Sequence, residues 1–244
     1  MFSDFIESDV RKTREHLPVT EESVTNKWQT LLPEDIVNNS TILDLGCATG
    51  SAGHWCQLHW CNSYTGVELQ DNYYQVSKRL LPNAEIIQAD VETFLRTTDR
   101  QWEVVIAAGI LHGIFNPFKI ISLLDKVASD YIIIENNETV ENGIPTIHFR
   151  KTNMVNDEDI NASYHGYATY IGSSALEFIM NEYGWVGHRV YPKQIENGLD
   201  PYHTETKLHE LLPKHVHRYA YIFKRAKTEK QSLEHLVRIN NVVF

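Results

Sequence analysis

Five short apolar runs recur in the first 135 residues, separated by segments of helix length. The runs are 41–45, 63–69, 84–90, 104–108 and 131–135, and the segments between them are 51–61, 71–81, 91–98 and 117–129. The runs lack strict alternation of apolar and polar residues, which is typical of strands covered on both faces. The pattern therefore predicts an α/β fold, with a parallel sheet between two layers of helices.

The flanks of this alternating region differ in pattern. Residues 1–38 are mostly polar and charged, and Pro18 and Pro33 interrupt two or three short predicted helices. Past the fifth run, the pattern predicts a helix and two more strands, over 173–183, 185–191 and 218–224. The predicted domain division is an N-terminal helical segment or lid, a core and a C-terminal tail, with bounds 1–38, 39–226 and 227–244.

A long insertion, 192–217, separates the last two predicted strands. Loops of this length in a compact domain are usually functional. The insertion contains four histidines, His203, His209, His215 and His217. No acid-plus-histidine spacing of a known zinc motif accompanies them. We therefore predict no metal site, and the role of the insertion stays open.

Charge and length restrict the partners. The chain has 244 residues, near the upper end for a single domain, and a formal net charge of −10. This charge disfavours a nucleic-acid partner without excluding it, because neutralisation of phosphates supplies most of such affinity. Residues 187–244 carry ten Lys and Arg against six Asp and Glu, which is most simply a solvated face.

Cysteine usage and hydropathy bear on the compartment. Cys47, Cys56 and Cys61 are an odd, clustered set, which is not a disulfide framework and fits a reducing cytoplasm. We expect them to be small, partly buried apolar residues. No signal peptide is visible, and no stretch approaches the roughly 20 apolar residues that span a bilayer. A soluble cytoplasmic protein is expected, with a homodimer left open.

The first predicted strand runs into a glycine-containing turn, Asp44-Leu45-Gly46-Cys47-Ala48-Thr49-Gly50. Glycines let a backbone pass close to a ligand. The spacing is not the dinucleotide fingerprint G-x-G-x-x-G, because Ala48 stands in the middle. The turn resembles the first motif of the class I methyltransferases, an acidic residue followed by G-x-G-x-G after strand one. The resemblance implies that Gly46, Ala48 and Gly50 line the amino-acid part of S-adenosylmethionine and that Asp44 organises the loop.

Acidic residues also end the next two strands. Glu68 lies 22 residues past Gly46, where the family places an acid that accepts hydrogen bonds from both ribose hydroxyls. Asp90, followed by Val91, stands where the family places an Asp that contacts the adenine amino group. The alternatives are a solvent-facing strand end for Glu68 and a helix N-cap for Asp90. Three acidic strand ends in this order favour the methyltransferase interpretation.

The fourth strand ends in Ala107-Ala108-Gly109-Ile110-Leu111-His112-Gly113-Ile114-Phe115-Asn116-Pro117. This segment resembles the family's fourth motif in the form A-x-G-x-L-H-x-x-x-[ND]-P. The reaction cleft of open α/β sheets lies at the carboxyl ends of the strands, so Gly109 is expected to keep the sulfonium pocket open. His112 could accept a proton from the nucleophile or hydrogen-bond the substrate. The alternative is a loop histidine that anchors the backbone before the next helix.

A second polar group follows the fifth strand. Its members are Glu135, Asn136 and Asn137, then His148 and Arg150, then the segment 163–170 with three tyrosines and a histidine. Aromatic and hydrogen-bonding side chains suit a small polar or planar substrate, and Arg150 could clamp a carboxylate. The alternative is that aromatics such as Tyr167 and Tyr170 pack against the sheet.

The resemblance covers about residues 39–226 and implies a doubly wound, mostly parallel seven-stranded sheet flanked by helices, with the last strand antiparallel. S-adenosyl-L-methionine is the predicted cofactor. The predicted cofactor-binding residues are Asp44, Gly46, Ala48, Gly50, Glu68, Leu69, Asp90, Val91, Ala108 and Gly109. The predicted catalytic residues are His112, Tyr164 and His165, and the predicted substrate contacts are His148, Arg150 and Tyr167.

The predicted reaction is methyl transfer to a small polar metabolite by in-line displacement. Three alternatives stay open: a methyltransferase acting on tRNA bases, a non-catalytic partner protein that binds the cofactor, and a nicotinamide-dependent oxidoreductase. The oxidoreductase is disfavoured by Ala48 and by the absence of the dinucleotide fingerprint.

Overall fold

The computed structural model describes residues 2–7, 20–114, 116–139, 147–151, 167–192 and 216–226. The strands in this part are β1 (Thr41–Leu45), β2 (Ser63–Glu68), β3 (Glu85–Gln88), β4 (Trp102–Ala108), β5 (Ala128–Thr139), β6 (Ile147–Lys151), β7 (Tyr167–Ile171), β8 (Trp185–Val190) and β9 (Val216–Arg225). The helices are α1 (Ser3–Glu7), α2 (Glu21–Leu31), α3 (Glu34–Val37), α4 (Ser51–Leu58), α5 (Asp71–Leu80), α6 (Val91–Thr97), α7 (Pro117–Val127) and α8 (Ser173–Glu182), with a short 3-10 helix at Leu111–Gly113.

Seven strands form one sheet in the order β3-β2-β1-β4-β5-β9-β8. The first five pair in parallel, and β9 runs antiparallel to both of its neighbours. Helices joining parallel strands lie on the faces of such a sheet. The predicted doubly wound, mostly parallel seven-stranded sheet with an antiparallel last strand is therefore confirmed.

The core lies on both faces of the central strands. Ile42 and Val104 belong to one cluster of buried residues, and their neighbours Leu43 and Val105 belong to the other. Successive side chains on a strand point to opposite faces, so a strand covered on both sides needs apolar residues at every position. This explains why the strands appear in the sequence as continuous apolar runs.

Part of the N-terminal segment packs into the core. Thr20 caps α2 in a capping box with Ser23, and Trp28 and Leu31 on this helix are buried. The indole of Trp28 donates to Ser51 Oγ at 3.1 Å, which ties α2 to the start of α4. The proposed domain bounds themselves stay a prediction.

Two features of the sheet differ from the sequence prediction. β5 begins earlier than the predicted run 131–135, because Ala128 pairs with Trp102 on β4, and it ends later, because β9 pairs with it as far as Thr139. The two-stranded sheet of β6 and β7 was not predicted, and β7 contacts β5 and the 3-10 helix. Both strand segments owe their conformation to pairing with distant residues, which local composition does not reveal.

Other expectations concern cysteines, membranes and the ends of the chain. Cys47 and Cys56 are buried, Cys61 is half-buried, and all three are free thiols, as predicted. None of the described helices is long and apolar enough to cross a bilayer. The tail 227–244 and most of the insertion 192–217 lie outside the described residues.

Candidate cofactor and acceptor site

The predicted site residues gather at the carboxyl edge of the parallel strands. Asp44 on β1 pairs with Gly66 on β2 and Ile106 on β4, and Ala108 on β4 pairs with Glu135 on β5. Four strand ends therefore meet at one edge, the place where open α/β sheets bind ligands.

The glycine turn is tightly built. Gly46 has a φ of +71°, and a Cβ there would lie 2.5 Å from Ile110 Cγ2. A larger residue here would be strained at this φ and would displace Ile110, so the fold itself favours glycine, whether or not a ligand is bound. Ala48 has a φ of +48°, a left-handed conformation that costs an L-residue about 1–2 kcal/mol. Replacement of the family's middle glycine by alanine thus stores strain in the turn.

Glu68 holds this turn in place. Its side chain is buried, Oε2 accepts a hydrogen bond from Ala48 N at 2.9 Å, and Oε1 accepts one from Gln70 N at 2.8 Å. The alternative of a solvent-facing strand end is therefore wrong. The two oxygens of a carboxylate offer about four acceptor positions, so a fixed Glu68 can also accept hydrogen bonds from ligand hydroxyls.

Asp44 carries a buried charge. The phenol of Tyr64 donates to its Oδ2 at 2.6 Å. Burial raises the pKa of Asp44 to about 6, against the lowering effects of this hydrogen bond and of the positive charge of Lys27, while Glu68 raises the pKa slightly further. Asp44 is thus ionised at neutral pH at an energetic cost, and a cationic ligand group at this edge would stabilise it.

Gly109 borders open space. Its φ is +74°, and a Cβ built there would meet no atom of the described residues within 4 Å. Its amide donates to the carbonyl of Glu135 at 2.8 Å, which fixes the backbone beside the opening. Leu69, on the other side of the predicted pocket, is 40% exposed. An exposed leucine and an open glycine backbone suit an apolar or planar ligand group.

Asp90 has a local structural role. It is the N-cap of α6, and its Oδ1 accepts a hydrogen bond from Thr93 N at 2.9 Å. The capping alternative is therefore confirmed. The next residue, Val91, packs against the core at the first position of α6. Contact of these residues with an adenine ring stays a prediction.

An ion-pair cluster around Glu135 was missed by the sequence analysis. Glu135 is buried on β5, where it pairs with Ala108, the last residue of β4. Lys27 Nζ, from α2, lies 2.5 Å from its Oε2, and Arg218 Nη1, from β9, lies 3.9 Å from its Oε1. The sequence identified Glu135 as part of a polar group, but no local pattern could indicate partners from opposite ends of the chain.

His112 lies in the 3-10 helix and is half-buried. Its Nδ1 is fully buried, and so is Oδ1 of Asn136 on β5. Burial lowers the pKa of His112 and the nearby Arg218 lowers it further, while Glu135 and the side chain of Asn136 raise it. The net direction is downward, so the imidazole is neutral at neutral pH. Its side chain makes no hydrogen bond to the backbone of the described residues, and both its catalytic role and the backbone-anchor alternative stay predictions.

The predicted substrate residues are described only in part. Tyr164 and His165 lie outside the described residues. His148, Arg150 and Tyr167 lie on β6 and β7, for which the structure gives the backbone pairing alone: Arg150 pairs with Ala168, and Lys151 with Tyr167. Because β7 contacts β5 and the 3-10 helix, this small sheet lies next to His112.

No group of three or more His, Cys, Asp or Glu residues that could hold a metal ion occurs among the described residues. Of the four histidines in the insertion, His203, His209 and His215 lie outside the described residues, and His217 is the second residue of β9.

One part of the chain matches a known protein family, and that part contains most of the predicted cofactor-binding residues. Residues 42–129 match the family model of a methyltransferase domain. This span runs from β1 to the start of β5 and includes the glycine turn, Glu68, Asp90 and Gly109. A search of curated proteins finds no significant match.

Solved structures share the fold over most of the chain. The N-terminal domain of EvdMO1, crystallised with S-adenosylhomocysteine and D-fucose, has a TM-score of 0.62 and 14% identity, covering 86% of this chain and 84% of that one. Magnesium protoporphyrin IX methyltransferase from Synechocystis PCC 6803, with S-adenosylmethionine bound, has a TM-score of 0.55 and 10% identity, covering 92% and 91%. A protein from Pyrococcus horikoshii, provisionally assigned as an RNA methyltransferase, has a TM-score of 0.53 and 12% identity, covering 93% and 100%.

At these identities the solved structures show a common fold and leave the acceptor open. The family model adds the activity, because it matches the strands that carry the cofactor motifs. The fold, the domain match and the geometry of the carboxyl edge agree with one another. The chain contains a methyltransferase domain, and its fold is that of the class I S-adenosylmethionine-dependent methyltransferases.

Proposed function

We propose that this enzyme transfers the methyl group to a small polar metabolite by in-line displacement. The observation that carries the proposal is the set of buried polar side chains beside the open space at Gly109, above all His112, Asn136 and Glu135. Buried hydrogen-bonding groups suit a ligand that is enclosed and polar. The net charge of −10 points the same way, because it gives phosphate backbones little attraction.

The residues at the carboxyl edge fit the cofactor. Open space at Gly109 leaves room for the sulfonium centre, and the buried charge of Asp44 favours a cationic neighbour. Glu68 is fixed for hydrogen bonds with ribose hydroxyls. The proposed set is Asp44, Gly46, Ala48 and Gly50 for the amino-acid part, Glu68 and Leu69 for the ribose, Asp90 and Val91 for the adenine, and Ala108 and Gly109 for the sulfonium centre.

When bound, S-adenosylmethionine supplies an electrophilic methyl group, so the protein has to align the acceptor, exclude water and remove a proton. His112 is proposed to take that proton, because a neutral imidazole at the carboxyl edge can act as a general base. Tyr164 and His165 are proposed to assist it. His148, Arg150 and Tyr167 are proposed to contact the substrate.

The acceptor class is tested with methyl-labelled cofactor and cell extract divided into an RNA pool and a small-molecule pool. Label in the small-molecule pool is expected. Label in RNA alone would contradict the proposal and favour the tRNA-modifying alternative. Tight cofactor binding in calorimetry without label in either pool would favour the non-catalytic partner protein.

The cofactor site is tested separately by Glu68→Gln. The amide has one oxygen where the carboxylate has two, so it cannot accept from both Ala48 N and Gln70 N. Loss of a charged acceptor is expected to weaken cofactor binding by about tenfold or more in calorimetry. The control is Glu22→Gln, an exposed acid in the first turn of α2, which is expected to bind like the wild type. Unchanged binding by the Glu68 variant would remove Glu68 from the site.

A further inference from the structure

Two buried polar atoms near the proposed acceptor site lack a hydrogen-bond partner in the described part of the chain. His112 Nδ1 and Asn136 Oδ1 are both fully buried, and neither has a hydrogen-bond partner of standard geometry among the described residues. Buried polar groups in folded proteins are nearly always satisfied. Each atom is the kind of partner that the other needs, since a neutral imidazole nitrogen can carry the proton that an amide oxygen accepts.

The amide nitrogen of Asn136 already makes a hydrogen bond. Its Nδ2 donates to the phenol oxygen of Tyr219 at 3.4 Å, within the buried interior. An amide that donates on one side presents its carbonyl oxygen on the other. Asn136 and Tyr219 pair across β5 and β9, so the sheet itself holds the amide in this orientation.

The effect of Asn136 on the pKa of His112 agrees with this pairing. The interaction with Asn136 raises the pKa of the imidazole, as expected when a carbonyl oxygen accepts a ring N–H. The charged groups on the neighbouring elements are Glu135 on β5, which also raises this pKa, and Arg218 on β9, which lowers it. Lys27 on α2 pairs with Glu135.

We propose that Asn136 is a positioning residue, which accepts the Nδ1–H proton of His112 and so leaves Nε2 as the unprotonated nitrogen that serves the acceptor. This inference rests on the proposed function, in which His112 is the base. In a neutral imidazole, one nitrogen is a donor and the other an acceptor, and the bond made by one decides the state of the other. One ordinary hydrogen bond changes such a ratio by about tenfold.

The choice of an amide has a chemical consequence. Asn136 fixes the proton without adding a negative charge, so the imidazole stays neutral and able to accept a second proton. A carboxylate at this position would hold His112 in its charged form up to a higher pH. The variant Asn136→Asp is therefore a sharper probe than a simple truncation.

The direct test is long-range 1H–15N NMR of the wild-type protein, with the His112 signals assigned by their loss in His112→Gln. The expected spectrum shows a protonated Nδ1 and an unprotonated Nε2. In Asn136→Ala, the proton is expected to redistribute to Nε2 by about tenfold, while the exposed Asn83→Ala control is expected to match the wild type. A wild-type spectrum with the proton on Nε2, or an unchanged ratio in Asn136→Ala, would overturn the inference.

The second readout is the pH profile of methyl transfer to the small-molecule pool. Asn136→Asp is expected to move the acidic limb of the profile upward by about one pH unit while retaining the Nδ1–H signal. An unmoved limb would overturn the positioning role. The proposed function fails separately if His112→Gln transfers methyl groups at the wild-type rate. That result would stand whatever the NMR spectrum shows. The wild-type spectrum decides the proton position even if Asn136→Ala does not fold.

Discussion

Asp44→Asn removes the buried charge at the end of β1 while keeping an oxygen that can accept the Tyr64 hydrogen bond. The pKa of Asp44 in the folded protein is raised from 3.8 to about 6, chiefly by burial. The folded state therefore binds this proton more tightly than the unfolded state does. Stability falls as the pH rises through this window, and the loss is complete above a pH of about 6.

The size of the effect follows from the same two values. A difference of about two pH units, at about 1.4 kcal/mol for each, lowers the free energy of unfolding by about 3 kcal/mol above pH 6. Asn at this position does not ionise. The difference in stability between Asp44→Asn and the wild type should therefore grow by about 3 kcal/mol between about pH 4 and pH 7, in favour of the variant. A cost of burying the amide NH2 would be the same at every pH.

The assay is urea denaturation without cofactor, followed by tryptophan fluorescence, at several pH values from about 4 to 8. Asp99→Asn is the control, because it makes the same chemical change at a fully exposed side chain. Asp99 Oδ1 lies 3.8 Å from Lys126 Nζ. A variant whose stability differs from the wild type by the same amount at every pH would refute the reasoning. A difference that grows in favour of the wild type as the pH rises would refute it as well.

Three further predictions concern backbone strain and the buried ion pair. Gly109→Ala should weaken cofactor binding in calorimetry by about tenfold or more, because its methyl group enters the open space. Gly184→Ala is the control, because Gly184 has a φ of +78° and a Cβ there would also meet no described atom. This variant should have the same backbone cost and unchanged cofactor binding. Equal binding losses in the two variants would contradict the argument. Ala48→Gly should raise the free energy of unfolding by about 0.5–1 kcal/mol, since relief of the left-handed strain exceeds the extra entropy cost of glycine; a less stable variant in urea denaturation would contradict this. Lys27→Met should lower the free energy of unfolding by about 2 kcal/mol, because it removes the cation at 2.5 Å from the buried Glu135, which lies closer than Arg218 at 3.9 Å. Adding Glu135→Gln should recover most of that loss, and an additive double variant would show that the pair is not coupled.

Much of the fold follows from local sequence. The strands β1, β2 and β4 are short apolar runs. Gly46 follows β1, Glu68 ends β2, and Gly109 follows β4. Each signal is complete within a few residues, because a strand buried on both faces must be apolar throughout and a turn at positive φ favours glycine. The order of these elements along the chain then restricts the topology to a doubly wound sheet.

The proposed cofactor side of the site follows from the sequence for the same reason. Parallel strands bring their carboxyl ends to one edge, so residues at successive strand ends must lie near each other. Knowing the order Asp44, Glu68, Asp90 and Gly109 is therefore enough to propose a pocket. The sequence could not decide that Glu68 is also the residue that fixes the Ala48 turn, because this depends on the side-chain geometry.

The acceptor side was decided by tertiary structure. Glu135 gains Lys27 from α2 and Arg218 from β9, and Asn136 gains Tyr219 across the sheet. These contacts join residues far apart in the sequence, and the polar end of β5 is a strand only because β9 pairs with it. The sequence alone determined the sheet and the edge at which we propose that the methyl donor binds, since those signals are local and periodic. The tertiary structure decided the charges and hydrogen bonds around His112, since they arise only where distant segments meet.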